Sequence, residues 1–286
     1  MRAIVFGELI WDVYPEEQVI GGAPFNFSAH LAHLGDEVWL ISAVGRDVLG
    51  EKALQEARHH GIRTEFIQQN SFPTGACLVT LNEQGIPCYQ VLTDTAYDNI
   101  TADKAVLTQI ADRKADLFYF NTLAQRSAVS RQAVADILAT VSFPEIFCDI
   151  NLRENCFDRA SLACCLTHAT TVKISEEEGH FLYDLGLLTP SDLPFPQAVA
   201  AAYPNLKLVV YTLGSNGSQV YECVTGRLYE SGKPVSIPVV STVGAGDCYG
   251  ATFASTYFAE RDIEKAIRVA TERSSIVVAH REAVPF

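Results

Sequence analysis

Short apolar runs alternate with amphipathic stretches along most of the chain, and this pattern predicts strands that are separated by helices. Residues 2–7 form a continuous apolar run typical of a buried parallel strand, and residues 24–34 place Phe27, Leu31 and Leu34 on one helical face. Further strands are predicted at 37–44, 116–120, 145–149, 171–174 and 206–212, and further helices at 45–61, 101–111, 126–140, 158–167, 176–185, 190–202 and 263–280. Such repeated β–α units imply an α/β fold with a mostly parallel sheet flanked by helices.

Two segments interrupt this alternation and indicate a second, smaller sheet. Residues 13–20 look extended, and residues 74–93 show partial apolar and polar alternation on either side of a turn at 82–85, which is typical of a hairpin. Another hairpin is predicted at 219–229. Because the sequence contains no internal repeat or linker, we expect one domain over residues 1–286, into which the pieces 13–20 and 74–93 insert a small β-sheet.

Composition and charge narrow the range of partners. The chain has 286 residues, of which 48% are hydrophobic, and a formal net charge of −13. That charge argues against nucleic acid and anionic membranes as partners, since both need a basic face. Apolar runs fall short of the roughly 20 residues of a membrane span, and the first residues reach glycine and acid too early for a secretory signal. The eight cysteines show no C-x-x-C spacing, so we expect reduced cysteines and a cytoplasmic location.

Candidate chemistry centres on a glycine loop at residues 241–250. Gly244, Ala245 and Gly246 precede an apolar run with helical spacing, so they should lie at a helix N-terminus. There the first N–H groups have no intrahelical partner and the helix dipole is positive, which favours an anion. Asp247 would repel a bound phosphate, so we interpret it as a base that takes a proton from a hydroxyl attacking phosphorus. The alternative is an acidic first-turn residue that only stabilises the helix.

Four other polar segments could line the same site, and each also has a purely structural interpretation. Residues 212–217 suit a nucleotide-contacting turn or an ordinary glycine turn, and residues 149–153 suit a ligand-binding loop or a solvated loop with a salt bridge. Residues 173–178 could place an acid near a metal or simply begin a helix with acidic residues. Asp12 and Asn26 could bind hydroxyl groups or act in caps and turns.

The order and spacing of these segments resemble the ribokinase-like (PfkB) family of carbohydrate kinases over essentially the whole chain. The matching segments are 7–12 (GELIWD), 21–26 (GGAPFN), 45–50 (GRDVLG), 149–153 (DINLR), 212–217 (TLGSNG) and 244–247 (GAGD). The chain has no G-x-x-x-x-G-K-[ST] motif, so the resemblance implies a kinase without a P-loop. It also implies a ribokinase-like fold in which the pieces 13–20 and 74–93 form a lid that closes on the sugar.

The resemblance implies a role for individual residues on the sugar side. Asp247 matches the catalytic base that deprotonates the primary hydroxyl of the sugar. The residues whose amides match the anion hole are Gly244, Ala245 and Gly246. The positions that match contacts to the other sugar hydroxyls or to the acceptor end are Asp12, Gly22, Asn26 and Arg153.

On the nucleotide side, the resemblance implies ATP and Mg²⁺ as cofactors. The positions that match the ATP-contacting turn are Thr212, Gly214 and Gly217, and Glu178 matches an acid near the metal and the phosphates.

Three positions depart from the family pattern. Ser241 stands where an Asp often helps to bind a monovalent cation, so potassium activation is left open. Ser175 stands where Asn is common, three residues before Glu178, and Thr271 stands where Asn often lies beside the adenine. We keep Ser175 and Thr271 as candidates for the nucleotide site.

Among members of the family, GELIWD together with GGAPFN is most similar to bacterial fructokinases. The resemblance therefore implies transfer of the γ-phosphoryl of ATP to D-fructose, which gives D-fructose 6-phosphate. Ribokinase or 2-keto-3-deoxygluconate kinase activity is an alternative, and a sugar-binding regulatory protein without turnover is another. We expect a sugar and ATP as partners, no nucleic acid or membrane, and a homodimer formed through the lid.

Overall fold

The computed structural model describes residues 1–81, 87–234 and 237–286. The strands are β1 (Arg2–Phe6), β2 (Ile10–Val13), β3 (Gln18–Gly21), β4 (Glu37–Gly45), β5 (Ile67–Asn70), β6 (Gly75–Leu81), β7 (Pro87–Val91), β8 (Leu117–Asn121), β9 (Glu145–Asp149), β10 (Thr171–Ser175), β11 (Leu208–Thr212), β12 (Ser218–Glu222) and β13 (Arg227–Glu230). The helices are α1 (Ala23–His33), α2 (Val48–His59), α3 (Lys104–Asp112), α4 (Ala128–Thr140), α5 (Arg159–His168), α6 (Gly179–Asp184), α7 (Phe195–Ala202), α8 (Ala245–Glu260) and α9 (Ile263–Val278).

The main sheet joins nine of the described strands in the order β13-β12-β11-β10-β9-β8-β1-β4-β5. From β11 to β5 all neighbouring strands are parallel, and β12 and β13 add an antiparallel hairpin at one edge. The mostly parallel α/β sheet expected from the sequence is therefore confirmed. Parallel strands bring their carboxyl ends to one edge of the sheet, which is where such sheets bind ligands.

Strand β1 shows how the sheet is covered on both faces. Ile4 and Phe6 pack in one hydrophobic core, while Ala3 and Val5 pack in the other, because successive side chains of a strand point to opposite faces. Helices α3 to α7 contribute to the first core, and α1, α2, α8 and α9 contribute to the second.

A second sheet contains four of the described strands in the order β3-β2-β6-β7. The hairpin expected within 74–93 is confirmed as β6 and β7, which pair antiparallel, whereas its turn at 82–85 lies outside the described residues. The piece 13–20 is not one strand: it joins the end of β2 to β3 through a turn in which the Tyr14 N–H donates to the Glu17 carbonyl at 2.9 Å. The division into one domain with an inserted lid stays a prediction.

Some expected boundaries were wrong for local reasons. The helix expected over 176–185 begins only at Gly179, because the Glu178 side chain turns back to accept the Ser175 N–H. The helix expected over 190–202 begins at Phe195, directly after Pro194. The hydrophobic pattern missed β5 because its sequence, IQQN, is mostly polar, as edge strands often are.

Two features agree with the composition. Over the described residues, helices are too short or too polar to cross a membrane. The seven cysteines whose side chains the structure describes are free, and five of them are buried. This confirms the expectation of reduced core cysteines there.

Candidate active site

The glycine loop lies at a helix N-terminus, as expected. Gly244 is the N-cap of α8 and has a φ of 78°, a left-handed conformation that favours glycine. A Cβ at Gly244 would also lie 2.7 Å from the Cα of Ala283, so the last segment of the chain leaves no room for a side chain. Ala245, Gly246 and Asp247 form the first turn of α8, whose N–H groups have no intrahelical partner, although the Ala245 N–H donates to the Thr242 carbonyl at 3.3 Å. An anion at this turn would therefore meet amide donors and the positive end of the helix.

Asp247, the candidate base, is buried, with 7% of its surface exposed. Its Oδ2 accepts a hydrogen bond from Nδ2 of Asn26 at 2.8 Å, and its Oδ1 faces Nδ2 of Asn151 at 3.4 Å. Burial raises the pKa of Asp247 above its ordinary value, while the hydrogen bond from Asn26 and the charges of Lys173 and Arg153 oppose the rise. A raised pKa suits a base that must take a proton near neutral pH.

The start of α1 is fixed beside Asp247 by a buried polar network. Gly22 is the N-cap of α1 with a φ of 103°, and a Cβ there would lie 2.7 Å from the Glu8 carbonyl oxygen. The Glu8 carboxylate accepts the Ala23 N–H at 3.1 Å and the Asn121 side-chain amide at 3.0 Å with each oxygen. Burial raises the pKa of Glu8 to about 7. These contacts determine where the backbone of Gly22 and the side chain of Asn26 lie.

Asp12 approaches the same region from the four-stranded sheet. It lies on β2, and its Oδ2 would be 3.1 Å from a Cβ on Gly21. Burial raises the pKa of Asp12 to about 6, against the charge of Arg153. Arg153 is exposed and acts electrostatically on Glu8 and Asp247 as well. One guanidinium group is therefore within electrostatic reach of three carboxylates, two from residues 8–12 and one from α8.

Glu178 connects two segments at the carboxyl edge of the sheet. Its Oε1 accepts the Leu152 N–H at 2.7 Å, and its Oε2 accepts the Ser175 N–H at 2.8 Å. Each oxygen keeps a second lone pair, so this carboxylate can also help to hold a cation. Within the described ranges, His, Cys, Asp and Glu side chains form no group of three or more that could hold a metal ion. The residues therefore fit Mg²⁺ only as an ion held mainly by phosphates and water, with Glu178 as one nearby carboxylate.

The residues expected on the nucleotide side meet at the ends of two neighbouring strands. Thr212 ends β11 and is the register partner of Ser175, which ends β10. Gly214 and Gly217 follow with φ values of 53° and 95° and form a tight turn. A Cβ at Gly217 would collide with the backbone of Gly232, so the turn packs closely against the segment after β13.

A cavity of about 770 Å³ opens beside this turn. Its walls come from β13, the segment that follows it and α9. Ser231 lies in one wall and accepts the Ser218 N–H at 2.8 Å, which links the cavity to the turn. Thr271 lies in the α9 wall, where its hydroxyl donates to the Ile267 carbonyl at 2.8 Å. The volume is typical of sites that bind small molecules and cofactors.

Residues 3–285 match the sequence model of the pfkB family carbohydrate kinases. This chain belongs to that family. The match covers almost the whole chain, so the protein is an ATP-binding carbohydrate kinase, a phosphotransferase.

Relatives whose names indicate different substrates are similar to this kinase at nearly the same sequence identity. It is 25% identical over 309 residues to the probable fructokinase-2 of Arabidopsis thaliana, covering 99% of this chain and 91% of the relative. It is 24% identical over 269 residues to the pseudouridine kinase of Escherichia coli (strain K12), covering 91% of this chain and 80% of the relative. Among solved structures, the fructose-, ADP- and calcium-bound fructokinase of Vibrio cholerae O395 has a TM-score of 0.82 at 21% identity, covering 99% and 94% of the two chains. That likeness establishes the ribokinase-like fold.

Three residues around Asp247 of this kinase had no role in the sequence-based hypothesis. They are Glu8, Asn151 and Lys173. Glu8 and Asn151 stand inside segments that match the family motifs, and this was the signal in the sequence that could have identified them. Their hydrogen-bond partners, Asn121 and Asp247, lie 113 and 96 residues away along the chain. Asn151 also has a φ of 41°, which is uncommon for a residue other than glycine. Nothing in the sequence pattern singled out Lys173.

Proposed function

We propose that this kinase transfers the γ-phosphoryl of ATP to the primary hydroxyl of a sugar, with D-fructose as the first candidate and D-fructose 6-phosphate as the product. The observation that carries the proposal is the buried Asp247 carboxylate in the first turn of α8, beside amides that lack intrahelical partners. Asp247 accepts the proton of the hydroxyl while the sugar oxygen forms its bond to the γ-phosphorus. The bond from that phosphorus to the β–γ bridging oxygen breaks, and ADP leaves.

The surroundings of Asp247 suit this role. Asn26 and Asn151 hold its two oxygens from different segments, so the carboxylate needs little reorganisation when the hydroxyl arrives. The donors proposed for the charge on the transferring phosphoryl group are the amides of Gly244, Ala245 and Gly246.

The sugar would be bound by groups that meet beside α1. In the proposal, the other hydroxyls contact Asp12, Gly22, Asn26 and Arg153. The motifs GELIWD and GGAPFN and the relatives named as fructokinases favour fructose. A relative named pseudouridine kinase at nearly the same identity shows that identity alone does not choose the sugar. Ribokinase and 2-keto-3-deoxygluconate kinase activities are the alternatives.

The nucleotide would occupy the turn after β11 and the adjoining cavity. We assign its contacts to Thr212, Gly214, Gly217, Ser175 and Thr271. Mg²⁺, when bound, would neutralise charge on the nucleotide phosphates, and Glu178 is the residue that would help to hold it. The Ser241 hydroxyl is neutral and accepts the Val243 N–H at 3.2 Å, so a monovalent cation is not part of the proposal.

The four-stranded sheet is proposed as a lid. Because β2 carries Asp12, closing this sheet would bring a sugar-binding carboxylate to the site and exclude water that would compete as the acceptor. Its outer face is also the proposed contact for a homodimer.

The test is ADP release by the purified chain with Mg·ATP and a panel of acceptors: D-fructose, D-ribose, 2-keto-3-deoxygluconate, pseudouridine and no acceptor. We expect the highest kcat/KM for D-fructose and phosphate on the hydroxyl of carbon 6, located by NMR. A preparation of Asp247→Asn reports any contaminating kinase. A higher kcat/KM for another acceptor would make that acceptor the substrate in place of fructose. A folded chain that binds a sugar without acceptor-dependent ADP release would instead be a regulatory protein.

A further inference from the structure

A lysine is buried beneath the glycine loop. Lys173 lies on β10 with 7% of its side chain exposed, and it is the one lysine among the described residues that is buried. Its Nζ donates to Oδ2 of Asp149 at 2.7 Å, and the side chain of Asp149 is 1% exposed. The two residues are register partners on the parallel strands β9 and β10, so the sheet itself holds them side by side.

Helix α8 presents two glycines to this lysine. A Cβ on Gly246 would lie 3.4 Å from Nζ of Lys173, and a Cβ on Gly250 would lie 3.5 Å from its Cδ. The two glycines are one helical turn apart, so the stem and the ammonium group follow the face of the first turns of α8. Gly250 lies outside the anion loop, and glycine weakens a helix interior. A Cβ on Gly250 would meet the stem of Lys173 at an ordinary van der Waals distance, so this contact locates the lysine beneath α8 but does not require glycine there.

The charges around Lys173 keep it protonated. Burial alone would lower its pKa, but Asp149, Glu178 and Asp247 raise the pKa of Lys173 above the ordinary value. Burial raises the pKa of Asp149 to about 7, and the positive charge of Lys173 is the main influence against that rise. The Oδ1 of Asp149 has no hydrogen-bond partner in the described part of the chain. A buried, fixed positive charge therefore lies below the first turn of α8.

We propose that Lys173, held in place by Asp149, is a positioning residue for phosphoryl transfer. Its ammonium group supplies a fixed positive charge beneath the base Asp247 and beneath the amides of Gly246 and its neighbours. This inference rests on the function proposed above. We assign Lys173 a positioning role and not a substrate contact, because its Nζ is buried and donates to Asp149. It acts through Asp247 and through the position of the loop.

The reaction explains why such a charge is useful. When Asp247 takes the hydroxyl proton, it loses its negative charge while negative charge builds up near the loop amides. A cation that lies beneath both groups stabilises the negative charge before and after this shift without moving. Arg153 also acts on Asp247, but it is exposed and therefore screened by water.

Several charged or titratable groups besides Lys173 influence the titration of Asp247. The titratable or charged groups that interact with it are Arg153, Lys173, Asp149, Tyr119 and Cys248, and its uncharged hydrogen-bond partners are Asn26 and Asn151. Among these, Lys173 and Asp149 carry opposite charges on neighbouring strands. Their removal should therefore move the titration of Asp247 in opposite directions.

The experiment compares the pH dependence of kcat for the wild-type chain, Lys173→Met and Asp149→Asn. We expect Lys173→Met to move the acid limb of kcat to higher pH by about one unit, because a nearby positive charge is lost. We expect kcat at neutral pH to fall about tenfold, with KM for sugar and ATP changed less than about threefold. Asp149→Asn should move the limb to lower pH, because a nearby negative charge is lost.

The control is Lys207→Met, which removes the partner of a carboxylate at the opposite end of β9 from Asp149. Lys207 pairs with Glu145, the first residue of β9, at 3.2 Å, whereas Asp149 is the last residue of that strand. This substitution also breaks a lysine–carboxylate pair, but near the C-terminal end of α8, where Arg261 also pairs with Glu145 at 3.4 Å, and away from its first turn. The acid limb of kcat should therefore stay in place. Should Lys173→Met fail to fold, the isosteric Asp149→Asn decides alone, since its amide oxygen can still accept from Lys173 and the pair then has no carboxylate left without its lysine.

The possible results separate the two proposals. An active wild-type chain whose acid limb does not move in opposite directions in the two variants would overturn the role of Lys173 alone. Equal shifts in Lys207→Met would overturn it too, because the effect would then not depend on proximity to the first turn of α8. A wild-type chain without sugar-dependent ADP release would overturn the proposed function and this inference together.

Discussion

The proposed sugar side and the proposed nucleotide side of the site are built differently. On the sugar side, Asp247 is buried and Asp12 partly buried, and burial raises the pKa of both. On the nucleotide side, residues 212–216 are half-buried or exposed, and the cavity wall includes exposed ion pairs such as Arg227 with Glu264 at 2.7 Å. A misplaced polar group is costly when buried, whereas water readily replaces an exposed one. We therefore expect substitutions on the sugar side to have the larger effects.

The largest effect is expected from Asp247→Asn. The amide keeps an oxygen that can accept from Asn26 but cannot take the hydroxyl proton, so kcat should fall by about 10²- to 10⁴-fold. The KM for the sugar should change less than about threefold, because the shape of the site is kept. Steady-state kinetics with ADP detection measures both quantities.

A matched control for that substitution is Asp116→Asn. Asp116 precedes β8 at the opposite edge of the sheet, and its carboxylate accepts the Arg2 N–H at 2.7 Å, a bond that an amide oxygen can also accept. Its kcat should equal that of the wild type. A fall of less than tenfold in Asp247→Asn would show that Asp247 is not the base and would remove the main contrast between the two sides.

The next effect concerns the backbone of the sugar side. Gly22→Ala should lower the free energy of unfolding by about 2–4 kcal/mol, because a φ of 103° strains an alanine and its Cβ would press on the Glu8 carbonyl oxygen. Gly35→Ala is the control: its φ is 90°, but no atom lies within 4 Å of the added Cβ. It should cost only the strain, about 1–2 kcal/mol. Equal losses in denaturant unfolding would show that the contact with Glu8 is unimportant.

A smaller effect is expected in the pH dependence of sugar binding. Burial raises the pKa of Asp12 to about 6, so this carboxylate is charged above pH 6 and becomes protonated as the pH falls through that value. The proposed hydrogen bonds from sugar hydroxyls to the charged form should then weaken, and kcat/KM for the sugar should fall about tenfold between pH 7 and pH 5.

Asp12→Asn isolates this titration from that of Glu8, whose pKa is raised by burial to about 7. The substitution should reduce kcat/KM at pH 8 and remove the limb near pH 6, while the acid limb of kcat remains. Wild-type and Asp12→Asn profiles of the same shape would show that Asp12 does not bind the sugar in its charged form.

Local patterns were enough to predict much of the fold, whereas the contacts in the site were not local. The α/β alternation and the glycine loop at the start of α8 follow from short-range periodicity and turn chemistry. The contact between Asn26 and Asp247 joins residues 221 apart, and only the resemblance to a family placed both in one site. Lys173 could not be identified, because its burial depends on the neighbouring Asp149 and on the glycines of α8, which periodicity does not report.

The smallest effect is expected from Thr271→Ala on the nucleotide side. The Thr271 hydroxyl already donates to the Ile267 carbonyl within α9, so the cavity gains little from it. The KM for ATP should change less than about threefold, and stability should stay equal or rise by about 0.5 kcal/mol, since alanine is the better helix former. Ser275→Ala, which removes a hydroxyl bonded to the Thr271 carbonyl in the same wall, should behave alike. A rise in the KM for ATP above tenfold in Thr271→Ala alone would show that this hydroxyl contacts the nucleotide. Substitutions on the two sides of the site would then have effects of similar size.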